Sequence, residues 1–130
     1  MRATLYGLLA AQAPLTALIP SARWYRAGNV VDTPVKPFVV LRWLAPVAAS
    51  ARGSFAKQLR LEVHAARGSY KPCEDWLKLA NPVLAGLRDY TGSDGRITQC
   101  DYLGSSGDQE DDTYKTNMMF DSWQVIGVEW

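Results

Sequence analysis

The sequence lacks the features by which many enzymes and membrane proteins can be identified. It contains no apolar run of about 18 residues, which is the length that a membrane-spanning helix needs. A phosphate-binding glycine loop, a dinucleotide-binding glycine motif, a zinc-protease motif and a serine-hydrolase elbow are all missing. We therefore expect no catalytic residue, no metal site and no cofactor.

Cysteine and histidine are both scarce. Cys73 and Cys100 do not have CxxC spacing, so we expect neither a zinc site nor a disulfide framework, and a reducing intracellular compartment is the default. The one histidine, His64, falls on the polar face of a predicted strand, where a solvated side chain is far more common than a general base. The alternative, a small enzyme or ligand-binding domain, would need a site built from His64, Asp101 or the acidic residues near position 110.

The composition is that of one folded domain. The 130 residues are 48% hydrophobic and 21% charged, and we expect residues 1–130 to form a single domain. The net charge is only +1, but residues 1–66 carry a net charge of +6 and residues 67–130 a net charge of −5. Either these charges intermix when the halves fold together, or the molecule has a positive and a negative face. The second arrangement would suit head-to-tail association between copies.

Hydrophobic periodicity predicts an α+β fold, with a mostly antiparallel sheet and two main helices packed on one face. Leucines at helical spacing predict a helix over residues 2–12, and an apolar stripe that includes Trp76 predicts a second over residues 72–89. Strands are predicted at residues 23–26, 38–44, 57–65, 96–103 and 114–128, the last of them bulged. The segments at residues 45–54 and 104–113 are predicted to be loops.

Three short segments are candidate interfaces. In Arg23, Trp24, Tyr25 and Arg26 two aromatics lie between two cations on one predicted strand, and both residue types are favoured interface anchors. Trp130, the last residue, is expected to dock on another surface. The third segment contains the acids Asp108, Glu110, Asp111 and Asp112. It lacks the glycine and closing glutamate of a calcium loop, so we interpret it as a solvated loop. The loop faces a channel or, as we favour, reaches a basic patch on a neighbouring copy, such as Arg23 and Arg26.

The order of these motifs resembles a known family. The chain has a leucine- and alanine-rich helix that ends in Ala17-Leu18-Ile19-Pro20, and the strand Arg23-Trp24-Tyr25 follows. Next come a strand that opens with Pro37-Phe38-Val39-Val40, the alternating strand from Leu59 to Ala65 and an amphipathic helix from Glu74 to Leu87. Two strands close the chain, with Tyr114, Phe120 and Asp121 in the last. Over nearly its whole length this layout resembles the tail-terminator, or tail-completion, proteins of long-tailed bacteriophages.

The resemblance implies a structural protein of the virion rather than an enzyme. Such a protein forms a homohexameric ring on the head-proximal end of the tail tube, ends polymerisation of the tube and presents a surface to the head connector. The implied partners are copies of itself, the major tail tube protein and the head connector or stopper protein. Genomic DNA would pass through the channel without sequence-specific binding, and the ring would assemble in the bacterial cytoplasm, without a membrane. Another ring of the head–tail connector is the nearest alternative.

Overall fold

A computed structural model describes residues 1–49 and 54–130 of the chain, and the predicted α+β fold is confirmed. The helices are α1 (Arg2–Ala10), α2 (Ala13–Leu18) and α3 (Lys71–Ala85), with a 3-10 turn at Ser21–Arg23. The strands are β1 (Trp24–Arg26), β2 (Phe38–Ala49), β3 (Ser54–Ala66), β4 (Tyr90–Thr91), β5 (Gly95–Ser105), β6 (Gln109–Asp111) and β7 (Thr116–Glu129).

All seven strands join one sheet, in the order β1-β2-β3-β7-β5-β4, with β6 paired to β7. Strand β1 is parallel to β2, and the other pairings are antiparallel. The order separates the two halves of the sequence, because β1, β2 and β3 come from the basic half and β4 to β7 from the acidic half. The charge difference along the chain is therefore also a difference between the two sides of the sheet.

The helices cover one face of the sheet, as predicted, and enclose the main core. Helix α3 begins with Pro72 in its first turn, where the missing N–H is not needed. Its apolar stripe buries Trp76 and Leu84 against the sheet. The helix ends at Ala85, four residues before the predicted end, and the Gly86 N–H donates to the carbonyl of Pro82.

Two predictions about the strands need correction. Strand β2 runs to Ala49 and β3 begins at Ser54, so the described parts of the predicted loop at residues 45–54 are strand; residues 50–53 lie outside the described residues. The predicted bulge in the last strand is also wrong, because β7 pairs with β3 without a break. The extra residues, Thr98 and Leu103, lie in β5. The apolar pattern of β7 changes phase because a polar residue, Asp121, lies on the helix-covered face opposite Leu61.

Candidate interaction surfaces

Strand β1 forms one edge of the sheet, and its aromatic residues are packed within the chain. The indole N–H of Trp24 donates to the carbonyl of Ile19 at 2.9 Å, and its ring lies edge-on against Tyr6 and Trp76. Tyr25 points to the other face and packs edge-on against Phe38. In the single chain these two candidate interface residues therefore hold β1 on the core.

The cations that flank these aromatics have no ion-pair partner in the part of the chain that the structure describes. Among the described residues, neither Arg23 nor Arg26 has a carboxylate within salt-bridge distance, and Arg26 is exposed. Arg26 borders a mainly apolar groove of about 590 Å³ between α1 and the β1–β2 edge, which Arg2, Tyr6 and Trp43 also line. A neighbouring depression of about 770 Å³ shares Arg2, Arg26 and Trp43. This edge of the molecule is thus concave and basic.

The acidic segment is not the open loop that the sequence predicts. Gln109–Asp111 forms strand β6 on the start of β7, and a turn follows in which Lys115 has a φ of 53°. Arg67 donates to a carboxylate oxygen of Glu110 at 3.1 Å and of Asp112 at 3.4 Å, and to the carbonyl of Asp111 at 3.2 Å. Within the chain, the cation that contacts the acidic segment is therefore Arg67; the predicted contact with Arg23 and Arg26 of a neighbouring copy stays a prediction.

A buried polar cluster on the face without helices is absent from the sequence prediction. The Arg42 guanidinium donates to both carboxylate oxygens of Glu62, at 2.6 and 3.4 Å, and the imidazole Nε2 of His64 lies 3.8 Å from Glu62. Burial would raise the pKa of Glu62, but its interactions with His64 and Arg42 outweigh burial and lower it. The hydroxyl of Thr116 lies 2.7 Å from Nδ1 of His64.

His64 is only 1% exposed, so the predicted solvated histidine is wrong. Phe38 stacks on its ring with the planes 3° apart, and Tyr114 packs edge-on against it. The polar alternation of β3 predicted a solvated face. In the fold, Phe38 and Tyr114 cover this face and exclude water from it. Both are distant from His64 in sequence, so the alternation of β3 could not indicate them.

A second unpredicted patch lies at the opposite side of the sheet. Tyr102 and Leu103 on β5 are 50% and 52% exposed, and Tyr102 packs edge-on against Trp123. Beside them Asp121 is 7% exposed, and burial raises its pKa although a hydrogen bond from Ser105 partly lowers it. No cationic side chain among the described residues forms a salt bridge with Asp121.

Trp130 contacts the rest of the chain with only part of its side chain. Its backbone N–H donates to the carbonyl of Asp94 and its indole N–H to that of Ser93, yet 66% of the residue remains exposed. The same turn also anchors α1, because the Asp94 carboxylate accepts hydrogen bonds from the backbone of Ala3 and Thr4. These bonds and the amino group of Met1 outweigh burial and lower the pKa of Asp94.

Neither thiol is activated as a nucleophile. Burial raises the pKa of Cys73 to about 11 and that of Cys100 to about 12, so both are protonated at neutral pH. Over residues 1–49 and 54–130, no three His, Cys, Asp or Glu residues are placed to hold a metal ion. In the same part of the chain no helix is long and apolar enough to cross a membrane.

Comparison with known proteins gives a likeness in structure but not in sequence. No family model matches the chain, and no curated protein matches it. Among solved structures, a chain of the virion of a native gene transfer agent particle has a similar fold, with a TM-score of 0.73. The match covers 100% of this chain and 95% of that chain at 16% sequence identity. The two chains share their fold over almost their full lengths, although few of their aligned residues are identical.

Proposed function

We propose that the protein is a structural component of a phage-like particle. The observation that carries this proposal is the full-length likeness to a chain of a gene transfer agent virion, which leaves almost no part of either chain unmatched. Folds host many functions, so the likeness alone is an argument by analogy. The chemistry of the described residues agrees with it, because both thiols are buried and protonated and His64 is packed under aromatic side chains.

Within such a particle we assign the protein to the neck, as a tail terminator that forms a homohexameric ring. The order of motifs along the chain supports this role. The sheet supports it independently, because its basic and acidic sides belong to opposite edges of one subunit. A ring needs two different surfaces on each subunit that match each other. The proposed partners are the tail tube below the ring and the head connector above it, with DNA in the channel.

Deletion of the gene in a host that produces the particles tests this function. Electron microscopy of the lysate should show separate heads together with tail tubes of excessive and variable length. Supply of the wild-type protein from a plasmid should restore joined particles with tails of uniform length. A plasmid that carries only a frameshifted copy is the matched control.

The same experiment separates the alternatives. Tubes of normal length that fail to join heads would assign the protein to another ring of the neck, and antibody labelling would then locate it. Normal, joined and infectious particles without the protein would contradict a structural role. An enzymatic role has weaker support, since neither groove beside β1 is lined by His64, Asp101 or the acidic segment.

A further inference from the structure

The two edges of the sheet are open in different ways. On one side, β1 pairs with no described strand other than β2. On the other side, the short β4 covers only Arg96 and Ile97 of β5. In the described part of the chain, residues 99–105 of β5 pair with β7 alone. Unpaired strand edges are sites where another chain can add, unless the protein blocks them.

The residues at these two edges lie in the same rows across the sheet. One row on the helix-covered face contains residues paired in sequence across five strands: Arg26, Leu41, Leu61, Asp121 and Ser105. The adjacent row on that face begins on β2, because β1 has already ended, and contains Trp43, Leu59, Trp123 and Tyr102. If the β1 edge of one copy lies beside the β5 edge of the next with these rows aligned, Arg26 of the first copy comes next to Ser105 of the second and close to its Asp121. In the same alignment, Tyr102 of the second copy comes close to Trp43 of the first.

The chemistry of the two edges is complementary. Arg26 is an exposed cation with no salt-bridge partner among the described residues, and it borders the apolar groove lined by Trp43. At the other edge Asp121 is a nearly buried carboxylate with no cation beside it in the described chain, and half-exposed Tyr102 and Leu103 flank it. A buried carboxylate without a cation is costly, and an arginine that approaches from outside removes that cost.

We propose that copies of this chain associate head to tail, with the β1 edge of one copy beside the β5 edge of the next. The Arg26 guanidinium of one copy binds the Asp121 carboxylate of its neighbour, and Tyr102 of that neighbour enters the groove beside Trp43. The contact is heterologous, so an open chain of copies keeps one unused edge of each kind, at its two ends, until the ring closes. The inference rests on the proposed ring, and it names the surfaces that build it.

The two bulges of β5 favour contact through side chains rather than a regular β-ladder. An extra residue at Leu103 breaks the even spacing of backbone groups along this edge and turns side chains outward. The same feature hinders unlimited edge-to-edge addition, which is a hazard of open strands. The specificity of the contact would then come from Arg26, Tyr102 and the groove.

A mixing experiment with two blocked variants tests this arrangement. Arg26→Glu blocks the β1 edge, and Leu103→Glu blocks the β5 edge. Each variant alone should associate at least about tenfold more weakly than the wild type in analytical ultracentrifugation, because each contact then faces a repulsive or desolvated charge. A mixture of the two should form dimers and nothing larger, since one intact edge of each kind remains.

Matched controls carry the same changes on exposed positions of α3. Lys78→Glu reverses a positive charge, as Arg26→Glu does, and Leu79→Glu introduces a negative charge, as Leu103→Glu does. Each control should associate as the wild type does. If either blocked variant still assembles, the contact lies elsewhere, although the ring itself would stand. If the mixture stays monomeric while the wild type assembles, the head-to-tail pairing of these two edges is wrong.

Cross-linking tests the contact even if it is weak in solution. The double variant Asn29→Cys with Leu103→Cys keeps Arg26 and places a thiol on an exposed position that lines the same groove. Treated with a bifunctional maleimide, it should give a ladder of covalent oligomers. The native thiols are buried and should not compete. A double variant with Lys78→Cys in place of Asn29→Cys is the control and should give no ladder. Absence of the ladder from the first variant would overturn the inference, whereas the deletion experiment above tests the particle function separately.

Discussion

Glu62 and Asp121 are two carboxylates of almost equal burial, 6% and 7% exposed, whose pKa values move in opposite directions. They belong to adjacent strands, since Glu62 of β3 is paired with Phe120, the residue before Asp121. Glu62 lies on the face without helices and binds Arg42 and His64, so its pKa is lowered. Asp121 lies on the helix-covered face, where burial dominates and raises its pKa.

The difference shows that burial alone does not determine the ionisation of a carboxylate in this sheet. Where a cation is present, the charged form is stabilised; where it is absent, the neutral form is favoured. The polar cluster around Glu62 is complete within one chain. The site around Asp121 becomes complete only when a cation reaches it from outside, and the exposed Arg26 of a neighbouring copy is the cation that the sheet places in the same row.

Both carboxylates lie on the sheet against which α3 packs. The largest effect on stability is therefore expected from Trp76→Ala. This side chain is completely buried and packs against Trp24. We expect a loss of about 3–5 kcal/mol in the free energy of unfolding, measured by denaturant titration. Leu79→Ala, an exposed position of the same helix, is the control and should change stability by less than about 0.5 kcal/mol. Equal effects at the two positions would show that α3 packs differently.

Glu62→Gln should sharpen the comparison on the paired side. The loss of the charged hydrogen bonds should cost roughly 1–2 kcal/mol at neutral pH, a range reduced because Arg42 is partly exposed. The folded-state pKa of Glu62 is lowered, so its contribution is full above the ordinary glutamate pKa. It disappears as the pH falls through the folded value. The stability difference between wild type and variant should therefore shrink in acid. A constant difference at every pH would contradict the ionic role.

Asp121→Asn should act in the opposite direction on the unpaired side. Because the folded-state pKa of Asp121 is raised, the wild type loses stability as the pH rises from the ordinary aspartate value through the folded one. In the Arg26→Glu background, where the protein should be monomeric, the substitution should increase stability at neutral pH by up to about 1 kcal/mol. In the wild-type background it should weaken self-association. A loss of monomer stability would contradict this account of Asp121.

The smallest effect on stability is expected from the acidic segment. Replacement of Asp108, Glu110, Asp111 and Asp112 by the corresponding amides should change the free energy of unfolding by less than about 0.5 kcal/mol, since their ion pairs with Arg67 are exposed. An asparagine at position 111 can still accept the N–H of Tyr114. We nevertheless expect slower assembly and a weaker dependence of its rate on salt, because these charges attract the basic side of another copy. Unchanged assembly kinetics would show that the acidic segment has no role in assembly.

The sequence allowed much of the fold to be predicted, because periodicity reports which side of an element is buried. The stripe around Trp76 located α3, and the alternation from Leu59 to Ala65 located β3. The burial of His64 could not be predicted, because Phe38 and Tyr114 cover it and neither is near it in sequence. The sequence also could not predict that Asp121 lies on the helix-covered face. Asp121 and Ser122 are both polar, so the alternation of apolar and polar residues along β7 is interrupted there.

The candidate surfaces were predicted less well than the fold, for a related reason. The sequence identifies residue types that suit interfaces, but burial within the chain decides which of them remain available. Trp24 is used in the core, and Arg67 pairs with the acidic segment. Arg26 stays exposed, while its complement at Tyr102, Leu103 and Asp121 arises only when β5 and β7 pair.

Cryo-electron microscopy of the assembled protein, alone or in the particle, tests the central claim most directly. The account predicts a closed ring in which the Arg26 guanidinium of each subunit lies about 3 Å from the Asp121 carboxylate of the next. Tyr102 should lie in the groove beside Trp43 of the adjacent subunit. A two-fold dimer built from identical surfaces, or a ring in which Arg26 and Asp121 both stay unpaired, would contradict it.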